Sequence, residues 1–248
     1  MVHAPERSFE VSEHGGIDPE QESPRFVAKH LSAYYFARQF TQGAKVLEVG
    51  FGDGYGSSFL ASTAGEVKAI DLFEKNVHAA ALKYPKPNLE FVQMNATELR
   101  WADHYFDLIV SFQVIEHIPQ ALLPLFVNEL KRVTRPGGVI CLSTLNLKKN
   151  QKPGKPYQKS PHHDKEFTPQ EFEDYLKPFF KKLEIHGLYP ASKHAFFERL
   201  KKTGISSFLP GDLDPVKNFY KKIGVQDFQW LKKSTIDDSI DLMAVCFA

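Results

Sequence analysis

The sequence predicts an α/β fold built on a mostly parallel, doubly wound sheet with helices on both faces. From Lys45 onward, short β-rich apolar runs alternate with single helical segments, and the first run turns into a helix through a glycine-rich loop. Strands separated by single helices demand right-handed crossovers, hence parallel neighbours covered on both faces. Ligands of such sheets bind at the carboxyl ends of the strands.

The first 24 residues are polar, carry Gly15-Gly16 and three prolines, and read as a flexible arm. Residues 25 to 41 place Phe26, Val27, His30, Leu31, Tyr34, Tyr35 and Phe40 at helical spacings, which predicts an amphipathic helix ending before Gly43. A strand is then expected at 46 to 49, a helix at 55 to 64, a strand at 67 to 71, a helix at 74 to 84 and a strand at 89 to 94. FDLIVSF (106 to 112) reads as a buried strand. It leads to a helix at 119 to 134, the Arg135-Pro136-Gly137-Gly138 turn and a strand at 139 to 144. Residues 147 to 165 hold six lysines and almost no apolar side chain, the signature of a long loop. Thr168-Pro169 followed by Glu171 forms a capping box that opens a helix. Strands are expected at 182 to 189 and 240 to 247, with helical patterns near 194 to 203, 214 to 222 and 225 to 233 between them. The expected organisation is an arm over 1 to 24, then one domain over 25 to 248 with 190 to 239 as an inserted helical cap.

Composition bounds the partners. In the 248 residues, 31 Lys plus Arg against 30 Asp plus Glu leave a net charge of +1, which gives no footprint for general nucleic-acid binding. The sum conceals an asymmetry: residues 1 to 147 carry 13 basic and 17 acidic side chains, and residues 148 to 248 carry 18 and 13. At 42% hydrophobic and 25% charged the chain is an ordinary globular one. Cys141 and Cys246 sit in strand-like apolar runs and read as buried thiols, so neither a disulfide framework nor a cysteine-based zinc site is available. No metal site is expected from the sequence. Without an 18-residue apolar stretch or an apolar N-terminal run, the expectation is a cytoplasmic protein with no membrane or nucleic-acid partner. A homodimer is left open.

VLEVGFGDGYG (46 to 56) carries the chemistry. It sets Glu48, Gly50, Gly52 and Gly54 where a strand becomes a helix, and Asp71 follows Gly50 by twenty-one positions at the end of the next strand. An acid there can accept both hydrogen bonds of a ribose diol. A dinucleotide site wants a third glycine where Tyr55 stands, and an acid two residues before Gly50 repels pyrophosphate. That acid suits a cationic nucleoside ligand instead, such as S-adenosylmethionine with its sulfonium and ammonium groups.

The chain resembles the class I S-adenosylmethionine-dependent methyltransferases, in particular a small-molecule branch with a VIEH-type motif. The resemblance runs over residues 26 to 189 through HLSAYYFA (30 to 37), VLEVGFGDGYGSSFLA (46 to 61), AIDLF (69 to 73), LEFVQMNATEL (89 to 99), FDLIVSFQVIEHI (106 to 118), ELKRVTRPGGVICLSTLN (129 to 146) and HHDKEFTPQEF (162 to 172). It implies a Rossmann-like, seven-stranded sheet with an antiparallel last strand, and S-adenosylmethionine as cofactor. By the same resemblance Glu48 and the Gly50, Gly52 and Gly54 backbone hold the methionine half, Asp71 the ribose and Leu72 the adenine. Asn95 and Ala96 would lie near the adenine amino group and Gln113 at the methionine end. Tyr34 either reaches the cofactor carboxylate or is a core aromatic. The aromatics of the 190 to 239 insert would cap the acceptor pocket or form a satellite core.

Transfer to a hydroxyl needs a base, and histidine suits neutral pH. The candidates at the strand ends are Glu116, His117 and His163, with His162 beside them. The expected reaction is methyl transfer to a small molecule, an oxygen of a sugar or hydroxylated metabolite before a nitrogen, with an anionic acceptor suggested by the lysines flanking that side. A non-catalytic cofactor-binding module is the alternative from another class.

Overall fold

In the computed structural model, residues 19–151, 154, 156–204 and 213–248 are described, so the arm over 1 to 18 and Phe208 of the insert lie outside them. The chain runs α1 (Pro24–Ala37), β1 (Lys45–Val49), α2 (Tyr55–Leu60), β2 (Glu66–Asp71), α3 (Glu74–Lys83), β3 (Leu89–Gln93) and β4 (Phe106–Phe112). It continues α4 (Leu123–Val133), β5 (Thr134–Leu145), α5 (Leu147–Asn150), α6 (Pro169–Leu176), β6 (Lys182–Pro190), α7 (Ser192–Thr203), α8 (Pro215–Lys221), β7 (Phe228–Leu231) and β8 (Asp241–Phe247). The strands form one sheet in the order β3-β2-β1-β4-β5-β8-β6-β7. The first five are parallel, and β8 is antiparallel to both β5 and β6.

Alternation along the strands builds two cores. Val46, Leu108, Val110, Cys141, Met243 and Val245 face α1 and α2, whereas Leu47, Ile109, Ile140, Leu142, Ala244 and Cys246 face α4 and α6. β4 is buried along both faces, with only Asp107 half-buried, as expected of a central strand covered on both sides. In α4, Leu123, Phe126, Val127, Leu130 and Val133 are buried at spacings of three and four, one stripe against the sheet. Both thiols are fully buried, and burial pushes Cys141 up to about 12.

Several expectations are corrected. The sheet has eight strands rather than seven, because residues 228 to 231, expected within a helical segment, form β7 against β6. There Phe228 is buried, Gln229 exposed and Trp230 and Leu231 half-buried, a four-residue run too short for its period to be told from a helical one. The 135 to 138 turn lies inside β5, where the β4 register shifts between Phe106 and Leu108. The described part of the insert takes the second of the two packings expected for it. Phe197, Phe219, Phe228, Tyr220 and Trp230 pack with Ala28 of α1 and Leu188 of β6 as a satellite core. Among the described residues no helix is long and apolar enough to cross a membrane.

Candidate active site

Strand order reverses between β1 and β4, and the carboxyl ends of the parallel strands open there into a cavity of about 620 Å³. Its walls come from the segments after β1 (Gly50, Phe51, Gly52), β2 (Asp71, Leu72, Phe73), β3 (Asn95, Ala96, Thr97) and β4 (Gln113, Val114, Glu116, His117), from α1 and from His162 and His163. Of the thirteen residues expected at the site, ten lie on this wall.

The turn after β1 shows why glycine is needed. Gly50 has φ of +77°, and a Cβ on it would meet Val114 Cγ2 at 2.5 Å, so the loop following β4 lies directly against this backbone. Gly56 has a different reason: a Cβ there would lie 2.0 Å from the Tyr34 ring. Asp71 is 7% exposed and organises the turn from β2, its Oδ2 accepting from Gly52 N at 3.0 Å and its Oδ1 from Phe73 N and Asn76 Nδ2. Burial raises its carboxyl above the ordinary value. A carboxylate has about four acceptor positions and three protein donors occupy this one, so a ligand hydroxyl would share it or displace one of them. Leu72 beside it is 45% exposed, an apolar platform at the cavity wall.

Three expected cofactor contacts lie behind that wall. Glu48 is 2% exposed and has both oxygens taken, one by Tyr34 OH at 2.6 Å and the other by Ser57 OH at 2.5 Å. Burial pushes its carboxyl up to about 7. Tyr34 is therefore the core partner of Glu48 rather than a wall residue, and Gly54 serves as the N-cap of α2. None of the three lines the cavity. Asn95 also differs in detail: its Oδ1 accepts from Thr97 N and Oγ1, so the group left to a ligand is the amide NH₂ donor.

The far wall holds the titratable groups. Gln113, at the end of β4, has a non-glycine φ of +57° and donates N–H to Ser143 O at 2.9 Å. Such backbone is costly and holds only where neighbours fix it. Glu116 is 1% exposed, burial pushes it up to about 8, and its Oε2 has no hydrogen-bond partner. His117 donates Nδ1–H to His162 O at 2.9 Å, and burial lowers its pKa. His163 donates Nδ1–H to Glu166 Oε1 at 2.6 Å, and Tyr157 OH donates to the other Glu166 oxygen at 2.6 Å.

The lysine-rich loop is thus not simply solvated. Asp164 N and Lys165 N donate to Glu116 O at 2.7 and 3.2 Å, and Asp164 Oδ2 accepts from Gln120 N at 2.7 Å, which docks the loop on the segment after β4. Its described lysines do not line the cavity, and Lys148 and Lys165 pair with Asp237 and Glu171. The basic side expected for an anionic acceptor is therefore not presented to the cavity by these residues.

Sequence reading missed His30, Tyr55 and Lys29 on the α1 side. His30 Nδ1 and Tyr55 OH are hydrogen-bonded, and burial lowers His30 to about 3, so it stays neutral. The one available signal was a histidine on an otherwise apolar helical face. Lys29 pairs with the buried Asp241 at 2.9 Å.

The cavity at the switch point thus has the Asp71 carboxylate on one side and Glu116, His117 and His163 on the other, the place where sheets of this class bind ligands. Residues 47–142 match the family described as methyltransferase domain. A probable S-adenosylmethionine-dependent methyltransferase of Mycolicibacterium smegmatis is 35% identical over 150 residues, covering 60% of this chain and 56% of that protein. A ubiquinone biosynthesis O-methyltransferase of Mesorhizobium japonicum is 32% identical over 112 residues, 44% of each chain. The solved S-adenosylmethionine-dependent methyltransferase of Mesorhizobium loti shares the fold, with a TM-score of 0.57 and 13% identity over 87% of this chain and 98% of its own. The chain spans about half the length of the curated relatives it matches. Over that stretch the chain is similar to S-adenosylmethionine-dependent methyltransferases, and residues 47–142 carry the methyltransferase domain.

Proposed function

We propose that this chain transfers a methyl group from S-adenosylmethionine to an oxygen of a small hydroxylated acceptor bound against Glu116, His117 and His163. The observation that carries the reading is a single cavity with Asp71 and Leu72 at one end and a histidine oriented by a buried carboxylate at the other. The name of the Mesorhizobium japonicum relative supports oxygen as the accepting atom.

The residues present fit the cofactor. The Gly50 and Gly52 backbone forms part of the cavity wall, the Asp71 carboxylate stands beside it at the end of β2 where a ribose hydroxyl can reach it, and Leu72 offers an exposed apolar surface to the adenine. When bound, the cofactor supplies a methyl group already activated by its sulfonium. The protein has to align the acceptor and exclude water. It must also take the hydroxyl proton. Glu48 acts from behind the wall, its two oxygens held by Tyr34 and Ser57, and so is a positioning residue for the Gly50 turn. With Nδ1–H held by Glu166, the lone pair of His163 sits on Nε2, the atom that takes the proton from the acceptor.

Calorimetry with S-adenosylhomocysteine, the demethylated product, tests the assignment. The wild-type chain should bind it in the micromolar range, Asp71→Ala should lose binding, and His163→Ala should retain it while losing turnover. Undiminished binding by Asp71→Ala would overturn the site.

A further inference from the structure

We propose that Glu116, His117 and His163 form a binding site for a divalent first-row transition-metal cation at the acceptor end of the cavity. One carboxylate oxygen and one nitrogen from each histidine lie within 4.8 Å of one another. A tetrahedral ion with bonds of about 2.1 Å spaces its ligand atoms ~3.4 Å apart, so a closure of about an ångström seats it. The two imidazole rings meet edge to face with centroids 4.9 Å apart.

Three independent features make this a built site rather than a chance cluster. Each histidine has Nδ1 held by an outer acceptor, His162 O for His117 and Glu166 for His163, which leaves Nε2 with its lone pair. Glu166 is itself buried and steadied by Tyr157 OH, the carboxylate–histidine arrangement that orients metal ligands and raises their basicity. Glu116 is 1% exposed, yet its Oε2 has no hydrogen-bond partner. A buried polar atom left unpaired is costly, and a cation supplies the missing partner.

The donor chemistry selects the ion. Two imidazoles and one carboxylate suit Zn²⁺ or its neighbours, whereas Mg²⁺ and Ca²⁺ prefer all-oxygen sets. Three protein ligands leave a fourth position, and because all three residues line the cavity, that position faces the acceptor. The cation would hold the acceptor oxygen there, and because ligation takes up the His163 Nε2 lone pair, it would replace that base by acidifying the bound hydroxyl, whose proton leaves to solvent. Its role in the reaction rests on the methyl-transfer reading, but its binding does not.

The test uses the full chain, stripped with chelator and titrated with Co²⁺, followed by its visible d–d absorption, and separately with Zn²⁺ by calorimetry. One equivalent should bind. Glu116→Gln, His117→Gln and His163→Ala should each weaken it at least about 10-fold, and Glu166→Gln by a similar factor through the outer shell. Near-ultraviolet circular dichroism reports folding of each variant, and Asp71→Ala should bind Co²⁺ as the wild type does. No saturable binding, or binding that all four variants leave unchanged, would overturn the site. Co²⁺ binding without S-adenosylhomocysteine binding keeps this proposal and sinks the methyl-transfer reading, and the converse result does the reverse.

Discussion

Glu48 belongs to the core side of the glycine turn. The sequence placed an acid before the glycine turn to complement a cation. In the fold its two oxygens are satisfied internally by Tyr34 and Ser57, and it reaches the cavity only through the backbone it anchors. Its burial has a measurable consequence. The carboxyl titrates at about 7 in the folded chain against an ordinary 4.5, so the folded state holds more protons between those values. The group's contribution to stability is fully present below pH 4.5 and is lost as pH rises through 7, on the order of 3 kcal/mol in all. Glu48→Gln should remove that slope. Urea unfolding at pH 5 and pH 7.5 is expected to show a smaller loss of stability in the variant than in the wild type, and equal losses in both would contradict it.

At the scale of elements, what was legible was what side chains encode locally. The T-P-x-E signature at 168 to 171 gives α6 its start, with Thr168 Oγ1 accepting from Glu171 N and Glu171 accepting from Thr168 N. That cap sets Phe172 and Leu176 into the core, directly after the loop that carries His163. Thr168→Ala should therefore cost about 1 kcal/mol of stability and Thr168→Ser much less. Denaturant midpoints check this, and an unchanged midpoint for the alanine variant would show the cap to be dispensable. The docking of the preceding loop was not legible, because it depends on the Glu116 carbonyl accepting from two backbone amides some forty-eight residues away. No side-chain pattern records such a bond, which is why His163 was legible as a candidate base while Glu166, Tyr157 and the three-residue cluster were not.

For the molecule as a whole, the alternation of strands and helices was enough to give the parallel half, and with it the crevice between β1 and β4. The insert was harder, since its aromatic residues suit a cap over the cavity as well as a separate core. Those described pack in the second way: Phe197 and Phe219 stack with centroids 4.4 Å apart, and Phe219 packs with Ala28, Leu188, Ile223 and Phe228, while no described insert residue lines the cavity. The insert then steadies α1 from outside, and α1 presents Lys29 and His30 to the cavity from its other side. This arrangement separates stability from cofactor binding. Phe219→Ala removes a buried ring from the satellite core and should lower unfolding stability by roughly 3 kcal/mol, yet leave S-adenosylhomocysteine affinity within about twofold under conditions where the variant is folded. A cap would behave in the opposite way, with ligand affinity falling while the midpoint of unfolding hardly moved. Calorimetric titration and urea unfolding of the same preparation distinguish the two.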